Sequence, residues 1–178
     1  QVSNISGVMA IAGGDSFSLA IKSDGTVWAW GNNVKGQLGN GTDADSNIPV
    51  QVSGLSGAIA IAAGGSHSIA LTSDGTVWAW GHNNDGQLGD GAFADRWTPV
   101  QSRGLTGIAA IAAGWAHNLV LKPDGTVWTW GNNVYGQLGD GTTTGRNVPE
   151  QVGGPAGVAF VATGGYYSFA LKSDGTGW

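Results

Sequence analysis

The chain repeats itself with a period of 50 residues. Gln1, Gln51, Gln101 and Gln151 open four segments, 1–50, 51–100, 101–150 and a partial 151–178, with no insertion between them. The first two agree at 31 of 50 positions. A unit this short cannot bury its own apolar face, so copies must stack on one another to make a core. Each full repeat keeps one frame. A glycine stands at 7, 57 and 107, then an Ala/Ile run, then glycine at 14, 64 and 114. Asp-Gly-Thr-Val-Trp, Trp-Gly, Gly-Gln-Leu-Gly and a proline at 49, 99 and 149 follow. No stretch sustains a helical period.

A period of two does fit. In 66–72, His67, Ile69 and Leu71 fall on one face and Ser68, Ala70 and Thr72 on the other. Asp24-Gly25 and its copies are hairpin turn signals, because glycine accepts positive φ. The spacing predicts four strands per repeat: a (58–63), b (66–72), c (76–81) and d (49–52, 99–102, 149–152), with d opening at proline on an outer edge.

Both faces of these strands are apolar, large side chains on one and small on the other. A sheet with a wet face would be polar there. Sheets covered on both sides by like neighbours, stacked radially about an axis, are the blades of a β-propeller. The expected fold is therefore all-β, a single half-domain over 1–178 with about three and a half four-stranded antiparallel blades. Alanine-rich strand a is placed innermost. The tryptophan pairs Trp28/Trp30, Trp78/Trp80 and Trp128/Trp130 are read as core, each removing about 200 Å² per indole from water.

Composition closes other routes. With 33 glycines and nine tryptophans but only 19 charged residues, the chain is neither disordered nor collagen-like. A net charge of −5 without a basic block argues against nucleic acid and anionic membranes as partners. No apolar run nears the roughly 18 residues of a membrane span. Absence of cysteine excludes disulfides and thiolate metal sites.

The Asp-Gly-Thr-Val-Trp-Ala-Trp-Gly-Asn-Asn and Gly-Gln-Leu-Gly-Asp-Gly-Thr strings, recurring along the whole chain, resemble the regulator-of-chromosome-condensation repeat family. That resemblance implies part of a seven-bladed propeller. Its founding members exchange guanine nucleotide on a small nuclear GTPase and sit on chromatin. The short, regular repeats are more similar to bacterial members, some secreted and protein-binding, which favours an extracellular or cell-surface bacterial location.

Variation among the repeats locates the candidate site. The b–c turn barely changes, whereas the a–b loop (14–17, 64–67, 114–117, 164–167) and the c–d loop (34–35, 43–48 and their copies) do. Both loops lie on the same propeller face. It holds the aromatics foreign to the frame, Phe17, Phe93, Trp97, Trp115, Tyr135, Tyr166 and Tyr167, with Lys35 among the loop residues that differ. Aromatics on a rigid scaffold are the usual binding hot spots, so these eight are the candidate partner-binding residues, Trp115 and Trp97 foremost. The bland alternative is loop drift with aromatics packing on loop backbone.

Candidate chemistry is thin. His67 and His117 stand where other repeats have Phe17 and Tyr167, which fits half-buried histidines holding backbone carbonyls better than catalysis or metal binding. Asp43–Asn47 lacks the downstream acid of a calcium loop, and the glycine-rich stretches lack a phosphate-loop lysine. Asp24 and its copies are turn residues. The chain reads as a non-enzyme without cofactor or metal, binding another protein. Nucleotide exchange or a structural or carbohydrate-binding surface role are the alternatives. Open blade edges call for either a longer propeller of which this is a piece or self-association, a homodimer foremost.

Overall fold

The computed structural model describes residues 2–154 and 157–178. Gln1, which opens the first repeat, lies outside them, and Val2 is in no strand. Blade 1 is β1 (Val8–Gly13), β2 (Phe17–Lys22), β3 (Val27–Gly31) and β4 (Ser46–Gln51). Blade 2 is β5 (Ala58–Ala63), β6 (His67–Thr72), β7 (Val77–Gly81) and β8 (Arg96–Gln101). Blade 3 is β9 (Ala110–Ala113), β10 (His117–Leu121), β11 (Val127–Gly131) and β12 (Arg146–Gln151). β13 (Val158–Thr163) and β14 (Ser168–Lys172) form a two-stranded fourth sheet, with one further bridge from Leu171 to Gly177. Each sheet runs in chain order, all neighbours antiparallel.

The expected strands are present, and strand a of blade 2 has the bounds expected. Strand d differs. It begins three residues early, at Ser46, Arg96 and Arg146, and the proline sits in its interior. Pairing jumps from Ala29–Val50 to Gly31–Ser46, so the proline falls in a bulge where no N–H is needed.

Turn chemistry holds the b–c end. Asp24 Oδ1 accepts both the Thr26 N–H (3.0 Å) and the Thr26 hydroxyl (2.6 Å), and Gly25 has φ +75°. A side-chain turn of this kind fixes the hairpin locally, and Asp74, Asp124 and Asp174 repeat it.

The core lies between blades. Leu19, Ile21, Val27 and Leu38 of blade 1 pack with Ala58, Ala70 and Trp80 of blade 2. Leu71 and Val77 of blade 2 meet Val120 and Trp130 of blade 3 in the same way. Strands β1, β5, β9 and β13 touch in succession, which puts strand a innermost. All six residues of β6 are buried, as both faces of an inner blade must be.

The tryptophan pairs divide, unlike the expectation that both members are core. Trp80 and Trp130 are wholly buried, whereas Trp28, Trp78 and Trp128 are half-buried. Trp28 and Trp78 donate to Thr26 and Thr76 (3.1 Å each), and Lys122 stands 4.5 Å over the Trp128 ring. These outer indoles lie near the b–c turn, where water reaches the blade rim. Trp30 is half-buried too, with no carbonyl latch on its indole among the described residues.

Candidate functional site

One joint is repeated between blades. Gln37 presents its carbonyl to the Trp80 indole N–H (2.9 Å) and the Ser68 hydroxyl (2.9 Å) of the next blade. Gln87 does the same for Trp130 (2.9 Å) and Asn118 (2.7 Å). Gln137 receives Ser168 (2.6 Å). A glycine lies against the buried indole, and a Cβ at Gly39 would stand 2.7 Å from Trp80 Nε1. The Gly-Gln-Leu-Gly motif is thus a latch onto the following blade.

His67 and His117 belong to this joint. Both are fully buried, not half-buried, and their Nε2 atoms meet the side chains of Asn118 (Oδ1, 2.9 Å) and Ser168 (Oγ, 3.1 Å), with the Tyr167 backbone also acting on His117. Asn118 and Ser168 donate to the Gln87 and Gln137 carbonyls, so a relay crosses the joints between blades 2 and 3 and between blades 3 and 4. Each Nδ1 faces the bare Cα of Gly64 or Gly114 and has no partner. Burial pushes both imidazoles down to about 4, so they are neutral at ordinary pH.

Phe17 and Tyr167 are the same position in other blades. Phe17 is 4 % exposed, packed in the core between blades 1 and 2, and cannot contact a partner. Tyr167 lies over Gly164 as His67 lies over Gly64, and it is exposed. Trp97 also moves. It stands within β8 and packs on Gly36 of blade 1, where a Cβ would be 2.7 Å from its ring, while its carbonyl accepts the Gly41 N–H (2.9 Å). Lys35 forms a cross-blade ion pair with Asp95 (3.5 Å). Phe17 is thus buried at its joint, whereas Trp97, 47 % exposed, and Lys35 touch the neighbouring blade and still reach solvent.

What remains of the candidate surface converges. Trp115 and Tyr166, from the a–b loops of blades 3 and 4, have ring centroids 6.2 Å apart and tilted by 32°. Tyr135, from the c–d loop of blade 3, meets Tyr166 edge-on at 5.5 Å and 76°. The three are 45 %, 51 % and 73 % exposed. Phe93 is exposed in the blade 2 loop without a ring contact to them.

The frame beneath is rigid. Asn83, wholly buried, receives the Leu88 N–H (2.9 Å) and donates to the carbonyls of Ala92 (3.2 Å) and Ala94 (3.0 Å). Asn33 and Asn133 repeat this brace. Asp45 Oδ1, part of the weighed calcium loop, accepts the Asn33 N–H (2.7 Å). The a–b turns are tied in a belt: Asp15 N–H to Gly65 (3.3 Å), Gly65 N–H to Trp115 (3.0 Å), Trp115 N–H to Gly165 (2.8 Å). They rim a mouth of about 190 Å³. Neither the latch nor the braces show in the sequence beyond their recurrence, because their partners lie 31 to 43 residues away or inside loops of no regular pattern.

Known proteins share this architecture. Human WBSCR16 superposes with a TM-score of 0.84 at 28 % identity over 93 % of this chain and 44 % of its own. Yeast RCC1 (Prp20), in a structure with Kap60 bound to it, gives 0.82 at 27 % over 96 % and 42 %. Prp20p from Saccharomyces cerevisiae, described with its binding to Gsp1p and histones, gives 0.82 at 28 % over 96 % and 43 %. The chain spans less than half the length of these structures. The family model described as RCC1-like domain matches residues 1–178, and the chain is a member of that family.

Proposed function

We propose that the chain is a non-catalytic interaction scaffold whose a–b and c–d loop face receives another protein. One observation carries this reading: Trp115, Tyr135 and Tyr166 are solvent-exposed on a braced loop face, with the Tyr166 ring against both of the others. Equivalent positions in blades 1 and 2 hold Asp15 or Gly65, Lys35 or Asp85, and Ser16 or Ser66. Exposed aromatics held on a stiff frame lose little entropy on binding. The yeast relative's named partners, Kap60, Gsp1p and histones, are proteins, which supports the class of ligand. The test is reconstitution with a purified partner recovered from the source organism. Trp115→Ala with Tyr166→Ala should abolish binding while the thermal midpoint stays put, and undiminished binding would sink the scaffold reading.

Nucleotide exchange on a small GTPase is the second reading, favoured by the yeast relative's binding to Gsp1p. Nucleotide release measured across a panel of small GTPases decides it, and no acceleration refutes it. A bacterial cell surface is the location we propose, checked by fractionating the source cells.

A further inference from the structure

We infer that the aromatic face takes a cationic, arginine-bearing peptide segment of the partner, an inference that rests on the interaction reading above. Charge is distributed unevenly between the two ends of the propeller. The b–c turn end carries Lys22, Lys122 and Lys172 against four turn aspartates. The loop end carries Lys35, Arg96 and Arg146 against seven carboxylates, and the Arg103 guanidinium, beside Gly91 of the blade 2 c–d loop, adds a fourth cation. Three of these four cations are already held, Arg96 by Asp90 (2.7 Å), Arg146 by Asp140 (2.8 Å) and Lys35 by Asp95 (3.5 Å), and Arg103 has no ion pair among the described residues. Asp15, Asp43, Asp45 and Asp85 have no cation among the described residues. Four cations against seven carboxylates leave the loop end with a net excess of negative charge.

The aromatic cluster stands in that field. Asp85 Oδ1 accepts from Asn132 Nδ2 (2.7 Å), and Asn132 is tied through Gln137 to the Tyr135 backbone (2.7 and 2.9 Å). An acid is thus fixed to the loop that carries the most exposed ring. Asp15 and Trp115 share the rim of the central mouth. Ring geometry selects among ligands. Tyr135 and Tyr166 stand at 76° and make a corner, not the flat platform on which a sugar ring stacks. A corner of ring faces with carboxylates beside it suits a compact delocalised cation, which ring quadrupoles and a nearby acid both attract. Guanidinium meets both demands better than ammonium, being planar and more weakly hydrated.

The test uses the whole chain and four labelled peptides of equal length, rich in arginine, lysine, glutamate or uncharged Gly/Ser, read by fluorescence anisotropy. The arginine peptide should bind saturably, at least about tenfold tighter than the uncharged one and several-fold tighter than the lysine one. Trp115→Ala should weaken it about tenfold even at raised salt, and Asp85→Asn should reduce the salt dependence. Tyr135→Ser, altering the most exposed ring, supplies a variant with nothing buried to lose. No binding of the arginine peptide, binding unchanged in both aromatic variants, or equal binding of the glutamate peptide overturns the inference. If the uncharged or acidic peptide binds and Trp115→Ala abolishes it, the cationic ligand is wrong while the interaction face stands. If the aromatic variants leave binding of every peptide and of the purified partner intact, both readings fall.

Discussion

Trp80→Phe set against Trp30→Phe measures how much of the fold's stability resides between blades. The two tryptophans occupy one repeat position, but Trp80 is wholly buried under the blade 1 latch and Trp30 is half-buried with no latch on it among the described residues. Replacing the Trp80 indole by phenyl removes the donor to the Gln37 carbonyl, a net loss of about 1 kcal/mol, softened because Ser68 still donates there. The missing ring atoms forfeit about two methylene equivalents, roughly 1.5 kcal/mol of transfer energy. Gly39 and Leu38 are held by their own loop and cannot collapse inward, so a cavity of roughly 40 Å³ adds about 1 kcal/mol. Trp80→Phe should therefore cost about 3 kcal/mol, and Trp30→Phe, half-exposed and unlatched, about 1. Urea unfolding followed by tryptophan fluorescence resolves that gap. Equal losses would refute the inter-blade account and place the indole's contribution within its own sheet.

Three further outcomes follow from the joints and turns. The buried imidazoles of His67 and His117 are held near 4 when folded and return to about 6.5 when unfolded, so the unfolded chain binds more protons between those values. Stability should be full above pH 6.5 and fall as pH drops toward 4, by on the order of 3 kcal/mol per histidine. The double variant His67→Phe, His117→Phe, borrowing the residue of blade 1, should flatten the urea midpoint over that window. Gly64→Ala should cost several kcal/mol, since its Cβ would stand 2.1 Å from the His67 ring and 2.6 Å from the Gly114 carbonyl oxygen. Gly13→Ala, with open space and ordinary φ, should stabilise by about half a kcal/mol, and calorimetric midpoints compare the two. Asn83→Ala strips the c–d loop of blade 2 of its brace. It should expose 84–95 to limited proteolysis and cost about 3 kcal/mol, whereas uncleaved loops would show the brace to be redundant.

The period of 50 and the two-residue alternation are enough to read four antiparallel strands per blade, and strand a of blade 2 falls where the Ala/Ile run ends. What the sequence hides are contacts between blades. Phe17 looks like a loop aromatic, but the next blade covers it. Trp97 looks like a loop residue because its proline suggests a later strand start, and the bulge that absorbs the proline starts β8 at Arg96 instead. The histidines read as half-buried because nothing nearby in sequence announces Asn118 and Ser168 as their partners, 51 residues on. Trp115, Tyr135 and Tyr166 could be picked out singly as departures from the frame. That they form one corner depends on the spacing of neighbouring blades.

The latch has a consequence for how such a chain changes over generations. The joints between the full blades are made from the same parts, with the Gly-Gln-Leu-Gly carbonyl on one side and the indole N–H and the residue after the ring position on the other. A slip of fifty codons during replication therefore inserts a module that arrives already complementary to both neighbours. No contact has to be invented first. Blade number can rise or fall while each joint stays native, and single-base change is then left to the loops, where the latch does not reach. Chains of this design can diversify their binding face at the pace of point mutation and their size at the pace of recombination.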